Sequence, residues 1–231
     1  SEKVRSRIIS NSPKGLFGIN IGPNKDTTNR MDDYLIGLRK FYNLADYLTI
    51  NISSPNTENL RSFHNEEELS ELLSLIEKEK KILKTSVPIA VKISPDIDDN
   101  NINIISDLLL KYSVEAVIIS NTTDKNRENL SNINKLEKGG LSGKPLENRS
   151  NELINKFYKI LKNKIKIIGV GGVDSGQSAY QKIINGASLV QLYTGMIYQG
   201  PKIASKISKE LINILDKEGA KNISDVVGSK N

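Results

Sequence analysis

Short apolar segments alternate with longer amphipathic ones along the chain. Six segments rich in β-branched residues are almost entirely apolar, which is typical of strands buried on both faces of a parallel sheet. Between them the pattern is helical: within 66–83, starting at Leu69, leucine and isoleucine recur at i, i+3, i+4 and i+7 and form one buried stripe. The predicted strands are 15–21, 46–52, 87–93, 114–120, 165–170 and 187–193.

Six strand–helix units imply a parallel sheet with right-handed crossovers. An open doubly wound sheet and a (β/α) barrel both satisfy this order. Every strand ends in a polar or glycine-rich cluster, and all strand ends meet on the active rim of a barrel, whereas an open sheet uses only one or two. The pattern therefore favours the barrel. The clusters are NIGPNK (20–25), NISSPNT (51–57), KISPD (92–96), SNTT (120–123), GVGG (169–172) and LYTG (192–195).

A closed (β/α)8 TIM barrel has eight strands and about 250 residues. This chain supplies six units in 231 residues. We therefore expect one N-terminally incomplete barrel domain over 1–231, with about two units missing before it and a complete C-terminus. The polar stretch 124–149 is too long for a routine connection and is predicted to be a functional loop.

Composition narrows the possible chemistry. The chain has no cysteine, which excludes a disulfide scaffold, a thiolate metal site and a cysteine nucleophile. It has one histidine, His64, so no histidine metal cluster is expected, and His64 is predicted to be a solvated residue at a helix start. The net charge is +6, but the lysines lie beside acidic residues without an aromatic–basic stripe, so no nucleic-acid partner is predicted. No apolar run reaches the length of a membrane span.

Two features of the strand ends indicate an anionic ligand. Glycines at 169–172 and at Gly195 end the last two strands, where barrels often bind phosphate, although tight turns would also need them. Lys92 lies in the middle of a predicted strand, within the apolar run PIAVKIS, and a buried ammonium without a partner is costly. Lys92 is therefore expected to face an anion in the barrel mouth, with an exposed strand terminus as the alternative.

Asparagine and serine also concentrate at the strand ends. Asn20, Asn51, Asn56 and Asn121 each offer amide donors and acceptors, which together can read a planar heterocycle. Asn56 follows a proline and equally fits a turn. Ser54 lies in the same loop without a histidine nearby in sequence, which argues against a catalytic triad.

In this order the clusters resemble the class 2, quinone-linked dihydroorotate dehydrogenase family. The resemblance covers essentially the whole chain. Class 1 members have cysteine where Ser54 stands, so Ser54 indicates class 2, while Pro23 departs from a lysine that is common in the family. The motifs are GINIGPNKDT, DYLTINISSPNTENLR, PIAVKISPD, VIISNTT, KGGLSGKPL, IIGVGGVDSGQSAYQKI and GASLVQLYTG.

The resemblance implies oxidation of dihydroorotate to orotate in pyrimidine biosynthesis, with FMN as hydride acceptor and a quinone as final acceptor. It implies a full-length protein held at a membrane surface by an N-terminal region absent here, with this chain alone soluble. Ser54 matches the catalytic base, and Lys92 would stabilise charge on the reduced flavin. The flavin-contacting positions are Asn20, Asn51, Lys92, Ser120, Gly143, Gly172, Tyr193 and Thr194, and the pyrimidine-contacting positions are Asn51, Asn56, Asn121 and Thr122.

Two alternatives stay open. The chain could be an inactive or incomplete barrel that does not retain flavin. The positive charge also suggests an RNA-modifying flavin barrel of the dihydrouridine synthase type, but those enzymes use a catalytic cysteine, and this chain has none.

Overall fold

The computed structural model describes residues 2–57, 60–125 and 127–231. Six strands form one parallel sheet in which spatial order follows sequence order. Each predicted strand is present but shorter than its apolar segment. The strands are β1 (Gly18–Ile21), β2 (Tyr47–Asn51), β3 (Ile89–Lys92), β4 (Ala116–Ile119), β5 (Lys166–Val170) and β6 (Leu189–Gln191).

Helices connect the strands on the outer side of the sheet. The helix predicted over 66–83 is observed with the same bounds, and Ser175 caps the helix after β5 by accepting the N–H of Ser178. Single 3₁₀ turns occupy Leu60–His64, Ile133–Leu136, Lys144–Leu146 and Ile223–Val226. The helices are α1 (Glu2–Ser10), α2 (Arg30–Phe41), α3 (Glu66–Leu83), α4 (Asp99–Lys111), α5 (Glu147–Leu161), α6 (Gly176–Ile184), α7 (Thr194–Gln199) and α8 (Ile203–Glu218).

The sheet is curled, because strands that are not neighbours make contact across its inner face. The Gln191 amide nitrogen on β6 lies 3.4 Å from the Tyr47 hydroxyl on β2. Tyr47 and Gln191 therefore face the same enclosed side. Strands β1 and β6 are the two ends of the curled sheet, and Leu189 on β6 is 61% exposed.

The main core lies between the outer face of the sheet and the helices. It contains strand residues such as Leu48, Val91 and Val117 and helix residues such as Leu38 and Phe157, all buried. A much smaller inner cluster is formed by Ala90, Ile118 and Ile168. In the described part of the chain no helix is long and apolar enough to span a bilayer.

One ion pair joins α2 to α3 beside this core. Arg39 donates two hydrogen bonds to the Glu79 carboxylate, at 2.8 and 2.7 Å. The Glu79 side chain is 6% exposed, and the Arg39 side chain is 52% exposed. The hydrogen bonds from Arg39 lower the pKa of Glu79, because they favour its charged form.

We expect Arg39→Met to lower the free energy of unfolding by about 1–2 kcal/mol, because the Glu79 carboxylate is left without its partner. The loss stays below that of a fully buried pair because water screens the half-exposed guanidinium. Lys81→Met, which removes the exposed Lys81–Glu77 pair, is the control and should cost less than about 0.5 kcal/mol. Urea unfolding measures both, and equal losses would contradict the prediction.

Candidate active site

The carboxyl ends of β2 and β4 are joined by a hydrogen-bonded cluster of Asn51, Ser53 and Asn121. The Ser53 hydroxyl donates to the Asn51 side-chain oxygen (2.9 Å), and the Asn121 amide nitrogen donates to the Ser53 hydroxyl (3.0 Å). The Thr122 N–H donates to the Asn121 side-chain oxygen (2.8 Å). These bonds fix the orientation of both amides. The Asn51 amide nitrogen donates to no described residue and is available to a ligand oxygen.

The backbone of Asn51 is held from below by α2. The Tyr34 hydroxyl donates to the Asn51 carbonyl oxygen at 2.7 Å, and the fully buried Tyr34 ring packs edge-on against Phe63 at 5.6 Å. Burial raises the pKa of Tyr34, so its hydroxyl keeps its proton and remains a donor.

A cavity of about 580 Å³ opens beside this cluster at the same edge of the sheet. The prediction that the strand ends form one rim is thereby confirmed for β3, β4, β5 and the segment after β6. Eight of the predicted site residues line the cavity. They are Lys92, Ser120, Asn121, Thr122, Gly143, Gly172, Tyr193 and Thr194.

Lys92 gives the cavity a positive charge. It is the last residue of β3, pairs in register with Asn51, and is half-buried. Burial lowers the pKa of Lys92, and no carboxylate of the described residues lies within 4 Å of its ammonium. An anionic ligand would offset the cost of keeping this charge buried.

Part of the cavity lining is built from glycines. Gly143 and Gly172 have φ of 80° and 76°, and a Cβ at Gly172 would lie 2.4 Å from the Cβ of Glu147. The N–H groups of Gly172 and Thr194 donate no hydrogen bond to a described residue. Free backbone N–H groups suit a phosphate group, because the phosphate can approach a glycine backbone closely. The lining therefore combines side-chain amide and ammonium groups with free backbone N–H groups, which suits a polar ligand that carries a phosphate.

Four predicted residues do not line this cavity. Asn51 is one of them, and it is joined to the lining by the Asn121 amide nitrogen, which donates to its side-chain oxygen (3.3 Å). Asn20 is exposed on β1 and pairs in register with Thr49. Thr49 precedes Asn51 by two residues on β2, so Asn20 lies further than Asn51 from the carboxyl edge of the sheet. Asn56 is exposed in a neighbouring groove near Gly139. Ser54 is half-buried in the β2 loop, where its hydroxyl accepts the Asn56 N–H at 3.2 Å. The roles of these residues stay predictions.

The prediction of a solvated His64 is wrong. His64 is 4% exposed, because the 3₁₀ turn Leu60–His64 folds its ring beneath the end of β3. Its Nδ1–H donates to the Arg61 carbonyl (2.9 Å), and its Nε2 accepts the Ser94 N–H (3.2 Å), so the ring is neutral. Burial lowers the pKa of His64 to about 4.

Arg61 ties three strand-end loops together. Its guanidinium pairs with Asp96 after β3 (3.1 Å) and with Asp124 after β4 (2.9 Å), and donates to the Thr122 carbonyl (3.3 Å). The Thr123 hydroxyl also donates to Asp96 at 2.5 Å. This network positions the backbone around Thr122 from behind.

Sequence reasoning missed the supporting residues Ser53, Tyr34, Arg61 and Lys182. Ser53 was adjacent to a predicted residue, but its burial depends on the partner loop after β4. Lys182 carried a readable signal, because it interrupts the apolar face of α6 between Ala179 and Ile183. Nothing in the spacing of Tyr34 or Arg61 distinguished them from ordinary helix and loop residues.

The curled sheet of strand–helix units with a polar carboxyl rim defines the class: a (β/α) barrel protein with its ligand site at the strand ends. The family model of dihydroorotate dehydrogenase matches residues 2–215. The chain belongs to the dihydroorotate dehydrogenase family. This membership confirms the resemblance seen in the motifs.

Two named relatives illustrate the similarity. The dihydroorotate dehydrogenase (quinone) of Bartonella tribocorum is 42% identical over 227 residues, which cover 96% of this chain and 63% of that protein. The protein of the same name from Wigglesworthia glossinidia brevipalpis is 48% identical over 202 residues, which cover 85% of this chain and 60% of that protein. The chain thus spans about 63% of the length of such relatives.

Solved structures confirm the fold. DHODH from Eimeria tenella in complex with ferulenol superposes with a TM-score of 0.91 at 36% identity, over 99% of this chain and 66% of that one. The ligand-free type gives the same TM-score and identity, and covers 100% of this chain and 69% of that one. The prediction of a TIM barrel with six of its eight strand–helix units in this chain is confirmed.

The neutral state of His64 predicts a pH-dependent stability. The pKa of His64 is about 4 in the folded chain and about 6.5 when unfolded, so the unfolded chain binds more protons between these values. Stability is then complete above about pH 6.5 and falls as the pH decreases towards 4. Between about pH 7 and pH 5 the loss should be about 2 kcal/mol.

His64→Gln should flatten this dependence, because its amide does not titrate and can still accept the Ser94 N–H. Urea unfolding of both proteins at the two pH values measures the difference directly. The chain has no other histidine to obscure it. Parallel losses in the two proteins would show that His64 is not the source.

Proposed function

We propose that this rim binds FMN and a pyrimidine, and that the whole protein oxidises dihydroorotate to orotate with a quinone as final electron acceptor. The observation that carries the proposal is that Asn121, fixed by its hydrogen-bonded cluster with Asn51 and Ser53, lines the same cavity as Lys92 and the glycines Gly143 and Gly172. The names of the relatives, dihydroorotate dehydrogenase (quinone), support the same reaction. The proposed reaction belongs to pyrimidine biosynthesis, and no nucleic-acid partner is proposed.

The residues present fit FMN. Gly143, Gly172 and Thr194 would hold the phosphate with free amides and a hydroxyl, and Lys92 would lie at the ring, where its ammonium favours negative charge. Asn20, Asn51, Ser120 and Tyr193 complete the proposed flavin set. When bound, FMN supplies the acceptor for the hydride that leaves C6 of dihydroorotate.

The pyrimidine would be read by Asn51, Asn56, Asn121 and Thr122. The free amide nitrogen of Asn51 can donate to a carbonyl or carboxylate oxygen of the substrate. Asn56 and Ser54 share one loop, and Asn56 is exposed, so closure of this loop over the cavity would bring both residues to the substrate. Closure would also exclude water.

Ser54 is proposed as the base that takes the C5 proton at its Oγ. Its Oγ already accepts the Asn56 N–H at 3.2 Å, which orients the hydroxyl within the loop. A free serine hydroxyl is a weak base, so Ser54 can take the C5 proton only if its own hydroxyl proton is passed on along a proton path out of the closed loop.

We also propose that residues 1–231 act as one FMN-binding barrel domain of a protein that works at a membrane surface. Quinones are apolar and dissolve in the bilayer, so their reduction requires access to it. This proposal concerns the whole protein, of which the chain matches about 63% of a relative's length.

We expect the purified chain to carry FMN in near-stoichiometric amount. An absorbance spectrum of the protein, with the flavin quantified after release by denaturation, measures this. Lys92→Met should reduce flavin content, whereas Lys209→Met on exposed α8 should not. A colourless chain that takes up no added FMN would instead support the alternative of an incomplete barrel that does not retain flavin. The exposure of Leu189 on the terminal strand β6 favours this alternative.

Ser54→Ala should slow the reduction of bound flavin by dihydroorotate by at least about 100-fold, because the proton acceptor at C5 is lost. Flavin content should not change. Stopped-flow bleaching of the flavin band in a single turnover measures the step without quinone. Ser205→Ala on exposed α8 is the matched control. Reduction of Ser54→Ala at the normal rate would remove Ser54 from the mechanism.

A further inference from the structure

A second lysine is buried behind the wall of the cavity. Lys182 of α6 has no exposed surface, and its Nζ donates to the Ser150 hydroxyl and the Asn151 side-chain oxygen, both at 3.0 Å and both on α5. Both acceptors are uncharged. Among the described residues no carboxylate lies within 4 Å of this ammonium. Burying a charge whose partners are all uncharged costs folding free energy, which points to a role for Lys182 other than stabilising the fold.

Lys182 is connected to the cavity through Ser150. The Ser150 hydroxyl donates to the Val170 carbonyl (2.7 Å), which also accepts the Ser120 N–H (3.1 Å). Val170 is directly followed by Gly171 and Gly172, which line the cavity. A Cβ at Gly171 would lie 3.4 Å from the Ser150 Cβ, so Ser150 forms the layer between Lys182 and the glycine turn.

The charged groups around Lys182 do not neutralise it. Glu147 at the start of α5 raises its pKa, and Lys144 in the preceding turn lowers it, but these two residues pair with each other at 2.6 Å. The Lys182 stem packs against β5: a Cβ at Gly169 would lie 3.0 Å from Lys182 Cδ and 3.1 Å from the Ala187 Cβ. Lys182, Lys144 and Glu147 together carry a net charge of +1.

We propose that Lys182 is a positioning residue of the phosphate end of this site: through Ser150 it holds the Val170 carbonyl and the glycine turn, and its ammonium attracts the ligand's phosphate from behind them. The inference rests on the proposed binding of FMN. Lys182 itself does not line the cavity.

Loss of the Lys182 proton at high pH would weaken binding of the phosphate. Burial lowers the pKa of Lys182 to about 8, so the free protein loses this proton between about pH 7 and pH 9. A phosphate bound in front of it favours the charged form, and by linkage the affinity for the phosphate decreases as the proton is lost. The phosphate itself stays fully ionised over this range, since its second pKa is about 6.

Binding of FMN and of riboflavin, measured by flavin fluorescence at about pH 7 and pH 9, tests the proposal. Riboflavin has the same ring without the phosphate. For the unaltered chain we expect FMN affinity to fall about three- to tenfold between the two pH values, with riboflavin affinity unchanged. Lys182→Met should bind FMN about tenfold more weakly at pH 7 and lose the pH dependence. Lys159→Met, on the exposed side of α5, should behave as the unaltered chain.

Lys182→Gln keeps a donor for Ser150 without the charge, and separates the two parts of the proposal. It should retain part of the affinity but none of the pH dependence. If neither variant folds, the comparison of FMN with riboflavin on the unaltered chain decides alone. The role of Lys182 would be overturned if FMN and riboflavin showed the same pH dependence of affinity, or if Lys182→Gln and the unaltered chain did. The proposal that the chain binds FMN would stand in either case. Failure of the unaltered chain to bind either flavin would overturn the proposed function and this inference together.

Discussion

The parallel register of the six strands is the constraint on which the rest of the structure depends. It places every carboxyl end at one edge, and it aligns Asn51 with Lys92 and Val170 with Gln191 across neighbouring strands. Because the sheet curls, these ends also approach across the inner face, as the contact between Tyr47 and Gln191 shows. Residues far apart in the sequence, such as Lys92, Asn121 and Thr194, thereby share one cavity.

A second layer of polar residues lies beneath this rim and gives the loops their shape. Tyr34, Arg61 and His64 each bond a backbone group at or just after the end of a strand, and Lys182 reaches the Val170 carbonyl through the Ser150 hydroxyl. These carbonyls and N–H groups lie where the ladder of the sheet ends, and such groups are costly when buried without a partner. Buried hydrogen bonds therefore hold the backbone at the base of the rim.

The fold and most of the cavity lining could be predicted because their signals are local. Apolar runs located all six strands, and the clusters after Lys92, Ile119 and Val170 marked the rim, since strand ends need no partner loop to be recognised. The surroundings of His64 could not be predicted, because its burial depends on Ser94, 30 positions away. Ser53 differs from Ser54 by one position, yet one is fully buried and the other is half-buried in the loop. Only the fold of the β2 loop distinguishes them.

The two buried lysines explain why an anionic, elongated ligand suits this cavity better than a neutral one. Burial lowers the pKa of both Lys92 and Lys182, so each ammonium is less stable here than in water. Lys92 lines the cavity, and Lys182 lies behind its glycine turn. A ligand with negative charge at only one end would relieve only one of them. The proposed ligand, FMN, would offer its ring to Lys92 and its phosphate to Lys182, and a negative charge on the ring would be favoured by the Lys92 ammonium.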